Sequence, residues 1–360
     1  MTAGKVMTSN LIQQAASETV DAPQPWTPQE ALLSNMELPL RGTFYPLGYA
    51  VEMITNEPAV LEAANESFGH VRLSRTSTTL RVCVGVSDGG DSECPPEPTR
   101  RQYNHLYSLV ADADNQALLD LKGCVSFVWL KKAAVENRLY LRYNFLEKTV
   151  YLLLGSSVVT DLHAACVSKN GKGILLCGDS GAGKSTLSYA CARAGWTYTS
   201  DDTSYLINNS SVPHVIGHSH RVRFRPTAKA LFPELEGREL TPRLEGKPSI
   251  EIPTSELSGL ITASEARVHS IVYLHRCAPG AGRLVPLPEG TATQRIRKEL
   301  YSAGEIRTKH EKVLEILSDI PTYELQYYDL DHAIHQLDLL AQGPELAPGP
   351  PQKSAGEGFS

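Results

Sequence analysis

The segment Gly178-Asp179-Ser180-Gly181-Ala182-Gly183-Lys184-Ser185-Thr186 matches G-x-x-x-x-G-K-[ST] in full. Glycines at 178, 181 and 183 let the backbone take positive φ and come close to a ligand, so successive N–H groups can point at phosphate oxygens. Lys184 can then reach the β and γ oxygens of a nucleotide, and the Ser185 hydroxyl can bind Mg²⁺. Seventeen and eighteen residues past Lys184, Asp201-Asp202 closes the β-prone run Trp196–Ser200. Adjacent carboxylates beside a phosphate loop can divide two tasks, one holding Mg²⁺ and the other taking a proton from an attacking hydroxyl. Away from such a loop the same pair is an ordinary turn signal. His163, fifteen residues before Gly178, adds an imidazole that titrates near neutrality and can orient an aspartate or supply positive charge.

These residues need elements to hold them. Ile174 to Cys177 form an apolar run suited to a buried strand, and Asn170-Gly171 marks a hairpin joining it to a strand over Ala164 to Ser168. After the loop, Leu187, Ala190, Cys191 and Ala194 recur at helical spacing before Gly195, which aims a helix N-terminus at the phosphates. The stretch His218–Arg225 predicts a strand with Arg221, Arg223 and Arg225 on one face, an arrangement suited to phosphate or carboxylate as well as to plain solvation. Lys247 follows in a turn before another strand, where a solvated lysine is the ordinary reading.

Upstream, the pattern predicts a helix entering at Pro58 and ending before Gly69, a strand over Leu80–Val86 and a turn-rich loop from Ser87 to Arg101. Further strands are expected at Tyr107–Val110, Ala117–Leu121, Val125–Leu130, Leu139–Phe145 and Val150–Leu154. The fourth rests on the alternation of Leu139, Leu141, Tyr143 and Phe145 with Tyr140, Arg142 and Asn144. Downstream, a strand over Val268–Leu274, helices over Thr291–Ser302 and Glu305–Ser318, a strand over Tyr323–Tyr328 and a last helix capped by Asp329 are expected.

His163, the Gly171-x-Gly173 turn, the glycine-rich loop through Lys184-Ser185 and Asp201-Asp202, all in this register, together resemble the catalytic domain of HPr kinase/phosphorylase. That family is similar in its nucleotide core to phosphoenolpyruvate carboxykinase. The resemblance is dense over 161–206 and diffuse elsewhere. It implies that the loop, from Gly178 through Asp179, Ser180, Gly181, Ala182 and Gly183 to Lys184, Ser185 and Thr186, binds ATP phosphates. It further implies that Ser185 and Asp202 hold Mg²⁺, that Asp201 is the acid/base group, and that Asp202, His163 and Lys184 support phosphoryl transfer to a serine hydroxyl. The chain departs from the bifunctional members at two points: Thr186 stands where they carry glutamate, and their Glu-x-Arg-Gly-x-Gly stretch is missing downstream. The reverse reaction and the HPr substrate therefore fall outside what the resemblance implies.

The expected fold is α/β, a phosphate-loop kinase core of the HPr-kinase and carboxykinase type with a mixed sheet. The expected division is a disordered leader over 1–36, a β-rich N-terminal module over 37–160, the ATP-binding domain over 161–342 and a disordered tail over 343–360. The expected activity is ATP- and Mg²⁺-dependent transfer of the γ-phosphoryl group to a hydroxyl acceptor, a serine of a protein or peptide. A small-molecule kinase or carboxykinase-like enzyme and a non-catalytic ATP-binding regulator remain as alternatives. A balance of 34 basic against 40 acidic residues lacks the basic footprint of sequence-independent nucleic-acid binding. Seven cysteines show no C-x-x-C pair, which suggests neither a zinc site nor a redox motif and fits a reducing compartment. No apolar run approaches membrane-spanning length, so the expectation is a cytoplasmic protein without membrane contact. The resemblance implies a homo-oligomer, for which the sequence offers no legible interface.

Overall fold

The structure, a computed structural model, describes residues 36–71, 75–89, 93–241, 248–280, 282–300 and 302–343. The expected leader and tail lie, apart from Met36 and Gly343, outside the described residues, as does Lys247.

Seven strands make the first sheet: β1 (Leu40–Phe44), β2 (Tyr49–Thr55), β3 (Arg75–Ser87), β4 (Thr99–Tyr103), β5 (Leu106–Val110), β6 (Gln116–Asp120) and β7 (Val125–Lys131). Their order is β1-β2-β3-β7-β6-β5-β4. The β2, β3 and β7 neighbours run parallel, and the β4–β7 meander is antiparallel. Helix α1 (Pro58–Phe68) crosses over between β2 and β3, with proline at its first turn and the Glu57 side chain accepting a bond from the Ala59 N–H. Strand β4 occupies the end of what the sequence predicts as a loop. All five of its residues are exposed, so it carries no apolar alternation to announce it.

The region 138–157 corrects the sequence expectation. Neither Leu139–Phe145 nor Val150–Leu154 is a strand. After the short helix α2 (Lys132–Glu136), α3 (Arg138–Tyr140) passes through a π-helical stretch, Leu141–Glu147, into α4 (Lys148–Ser157). Burial explains the outcome: Leu141, Phe145, Leu146, Val150, Leu153 and Leu154 are fully buried. Steps of three to five residues between them are those of a helical stripe that slips once through the π turn. The alternation of Leu139, Leu141, Tyr143 and Phe145 is a coincidence of period two inside that stripe. The stripe packs onto Val82, Val84 and Val128 of the first sheet, in a core that also takes in Tyr205 and Ile216 from farther along the chain.

The second sheet has ten strands and is mixed, which makes the molecule α/β. Its spine is β17 (Glu265–Arg276). On one side it pairs parallel with β10 (Lys172–Cys177), followed by β9 (Ala165–Lys169), β11 (Thr197–Ser200) and the short β16 (Ile261–Thr262). The other side is shared. The start of β17 pairs with β13 (His214–Gly217), followed by β12 (Ser204–Ile207) and β8 (Val159–Leu162). Its later half pairs with β19 (Thr322–Tyr327) and, through that strand, β18 (Arg283–Pro286). Asn170 and Gly171 take φ of 53° and 76°, the doubly left-handed pair of a tight hairpin between β9 and β10.

Helix α5 (Lys184–Arg193) follows the glycine-rich loop and packs Leu187 and Cys191 against α8 (Leu330–Gln342), whose N-terminus is capped by the Asp329 carboxylate at 2.7 Å from the His332 N–H. Helices α6 (Thr291–Glu299) and α7 (Gly304–Val313) cover the opposite face. A two-stranded ribbon, β14 (Arg221–Phe224) with β15 (Ile250–Pro253), lies over α5. Among the described residues, no helix is long and apolar enough to cross a membrane.

Candidate active site

The loop leaves β10 at its C-terminal end, in the middle of the second sheet, where the parallel β17 and, beyond it, β19 end on the same side. Gly178, Gly181 and Gly183 take φ of 143°, 93° and 102°, values that side chains rarely tolerate. At Gly183 a Cβ would also collide with the Tyr327 hydroxyl. That hydroxyl donates to the Ala182 carbonyl at 2.7 Å and itself accepts from Arg276 Nε at 3.4 Å. The ends of β17 and β19 thus brace the loop from outside, while Gly183 stands at the mouth of α5 with its own carbonyl taking the Leu187 N–H at 2.8 Å.

Lys184 is 6% exposed, and its ammonium sits in the concavity of the loop, donating to the Gly178 carbonyl at 2.6 Å and the Asp179 carbonyl at 3.4 Å. Its third near neighbour is His163 Nε2 at 3.1 Å. Burial lowers the Lys184 pKa and the nearby Asp202 carboxylate works to raise it. On the other side of His163, Nδ1 faces Asp202 Oδ1 at 3.7 Å, so lysine, imidazole and carboxylate form one line. His163 holds its place because β8 and β12 pair antiparallel with Leu162 opposite Ser204, which sets the residues just beyond the two strands side by side.

The adjacent aspartates occupy unlike environments. Asp201 is 8% exposed, and its Oδ2 accepts the Arg223 backbone N–H at 2.7 Å. Burial pushes its pKa up to about 6, partly opposed by that bond and assisted by the like charge of Asp202. Asp202 is half-exposed and lies 3.7 Å from Arg223 Nη1. Arg223 in turn meets Glu251 at 3.0 Å across the β14–β15 ribbon. Ser185 Oγ donates to the Asp201 carbonyl at 3.1 Å, tying the start of α5 to the aspartate turn.

Lys184, Ser185, His163, Asp201 and Asp202 therefore converge, as their spacing predicts, together with the loop from Gly178 to Thr186. Of the three arginines expected on one strand face, Arg221 and Arg223 lie on β14, but Arg225 lies beyond it and is exposed. Four further residues at the site carried no local signal: Glu251, Arg276 and Tyr327, and Glu299, whose carboxyl pKa is raised by burial against the pull of His163 and Lys184. They come from β15, β17, β19 and α6, and only the strand order brings them to the loop.

Among the described residues no group of three or more His, Cys, Asp or Glu side chains could by itself enclose a metal ion. The Ser185 hydroxyl and the half-exposed Asp202 carboxylate would fit Mg²⁺, which commonly uses one or two protein oxygens and completes its shell with water and substrate phosphate. The glycine cradle closed by Tyr327, with a buried ammonium at its centre, likewise fits a polyphosphate.

No protein-family model matches this chain, and neither does any curated protein. Among solved structures it is similar to the Hpr(Ser) kinase/phosphatase from Coxiella burnetii, at 14% identity and a TM-score of 0.30, over 50% of this chain and 91% of that one. So loose a likeness carries no weight beside the geometry of the loop and its aspartates.

Proposed function

We propose that this protein is an ATP- and Mg²⁺-dependent phosphotransferase that moves the γ-phosphoryl group to a hydroxyl acceptor. The observation carrying this reading is the line from the buried Lys184 ammonium through His163 to Asp202, beside a carboxyl whose pKa lies near 6. ATP would supply the phosphoryl group, and Ser185 and Asp202 would hold a Mg²⁺ ion whose chemistry would be to neutralise phosphate charge. Loop amides and Lys184 hold the phosphate oxygens and balance charge that develops during transfer. At neutral pH Asp201 is mostly ionised, yet basic enough to take the acceptor's proton as the new P–O bond forms. His163 and Arg223 flank Asp202 and orient it.

The test is label transfer from γ-³²P-ATP to components of a cell extract. The wild-type protein is expected to transfer label and Lys184→Ala to transfer none while keeping its circular dichroism spectrum. Undiminished transfer by Lys184→Ala would rule out this role for the loop.

A further inference from the structure

One cavity of about 560 Å³ lies beside the aspartate turn, within the range of volumes that hold small organic ligands. Its walls come from β4 and β5, from the helical stretch 143–156, from β8 and β12, and from α7. Asp161 and Tyr205, both lining it, are directly paired across β8 and β12. Asp161 lies two residues before His163, and Thr203, another wall residue, immediately follows Asp202. Chamber and phosphate loop thus meet at the same strand ends, with His163 and Asp202 between them.

The lining is unlike a packed core. Tyr107, Tyr143 and the mutually stacked Tyr151 and Tyr205 contribute rings and hydroxyls, Arg100 and Lys148, the latter bonded to Asn144 at 3.0 Å, carry positive charge, and Asp161 and Glu147, the latter bonded by Ser67 at 2.9 Å, carry negative charge. Ring faces favour a cyclic body, carboxylates and tyrosine hydroxyls favour hydroxyl groups, and the cations favour an anionic substituent. Strands of both sheets, the helical stretch 143–156 and α7 line the space, and its volume suits a whole small molecule.

We infer that this chamber is the acceptor site, and that the acceptor is a small, ring-bearing hydroxyl compound with an ionic group. The inference rests on the phosphotransferase reading and narrows it: the acceptor is of low molecular mass, and its reacting hydroxyl enters past Thr203 to meet Asp201. The P–O bond to ADP breaks, its electron pair leaving with ADP, as the acceptor oxygen bonds to phosphorus and Asp201 takes the proton.

Gly155 provides the test. It sits on α4 in the cavity wall, and a Cβ there would meet only Asp161 Oδ1, at 3.9 Å. A larger side chain would grow into the chamber, and replacing a helical glycine does not weaken the helix. The full-length protein, Gly155→Phe and Gly155→Ala are each incubated with Mg²⁺ and γ-³²P-ATP. They receive either the low-mass filtrate of a cell extract or its dialysed macromolecular fraction, and binding of a non-hydrolysable ATP analogue is measured in parallel. The expected result is label on a filtrate compound, at least tenfold less transfer by Gly155→Phe, near wild-type transfer by Gly155→Ala, and equal analogue binding by all three. Label on macromolecules alone would leave the phosphotransferase standing and overturn the chamber's role. Filtrate transfer that Gly155→Phe leaves unchanged, or analogue binding that it abolishes, would overturn it too. Transfer to neither fraction by a protein that binds the analogue would overturn both readings.

Discussion

Beneath the first sheet, Met53, Val60, Val84, Leu109, Val128, Phe145 and Leu153 pack with essentially no exposure. At the end of β10, by contrast, the molecule buries the Lys184 ammonium, the Asp201 carboxyl and the hydroxyls of Ser200 and Ser204. Both regions exclude water, but in the first that exclusion stabilises the fold, while in the second it opposes the charged forms of Lys184 and Asp201. Polar burial of that kind persists where proton transfer and phosphate binding gain from it. The difference separates the part of the chain that supplies stability from the part that uses it.

Phe145→Ala should probe the first region and have the largest effect on stability. Its ring is fully buried beside Tyr140 at 5.9 Å between centroids. The loss should be about 3–5 kcal/mol in denaturant unfolding, with ATP affinity of the folded fraction unchanged. An equal loss of nucleotide affinity per folded molecule would show that the two regions are not separable.

Asp201→Asn should act in the opposite direction. A carboxyl whose folded pKa is raised contributes stability below its unfolded value and loses it as pH rises through about 6. At about pH 7.5 the wild-type protein carries that whole cost, on the order of 2–3 kcal/mol for a shift of roughly two units. The asparagine variant should therefore unfold at higher denaturant at that pH, and the difference should vanish at about pH 3, where both side chains are neutral. For the same reason wild-type turnover should rise with pH through about 6. A flat pH–rate profile across that range would remove Asp201 from proton transfer.

The smallest effect should come from Tyr327→Phe, which deletes the hydroxyl bracing the Ala182 carbonyl and nothing of the buried ring. A cost of about 1 kcal/mol is expected, together with a modestly weakened affinity for ATP measured by fluorescence titration. Affinity unchanged from wild type would mean that the loop holds its curvature without this brace.

How much of this could be read from the chain follows from where each signal resides. The glycine-rich loop was legible because backbone chemistry dictates its glycines, its lysine and its hydroxyl, all within nine consecutive residues. Asp201, Asp202 and His163 were legible from their register with that loop. Arg276, Tyr327, Glu251 and Glu299 were not, since their place at the site depends on β17 lying beside β10 with β19 beyond it, and on where the β14–β15 ribbon and α6 pack, none of which a local pattern encodes. The 138–157 region misled because a π turn inside a buried helical stripe leaves an accidental alternation of large side chains. The cavity was invisible for a related reason, because its walls are assembled from segments spread between Arg100 and His310.

The central claim is that the Asp201 carboxylate moves a proton while Lys184 and the loop hold phosphate, and Asp201→Asn tests it most directly. The expected result is unchanged affinity for an ATP analogue with Mg²⁺ and a fall of at least about 10²-fold in label transfer from γ-³²P-ATP. Transfer by Asp201→Asn at the wild-type rate would contradict it.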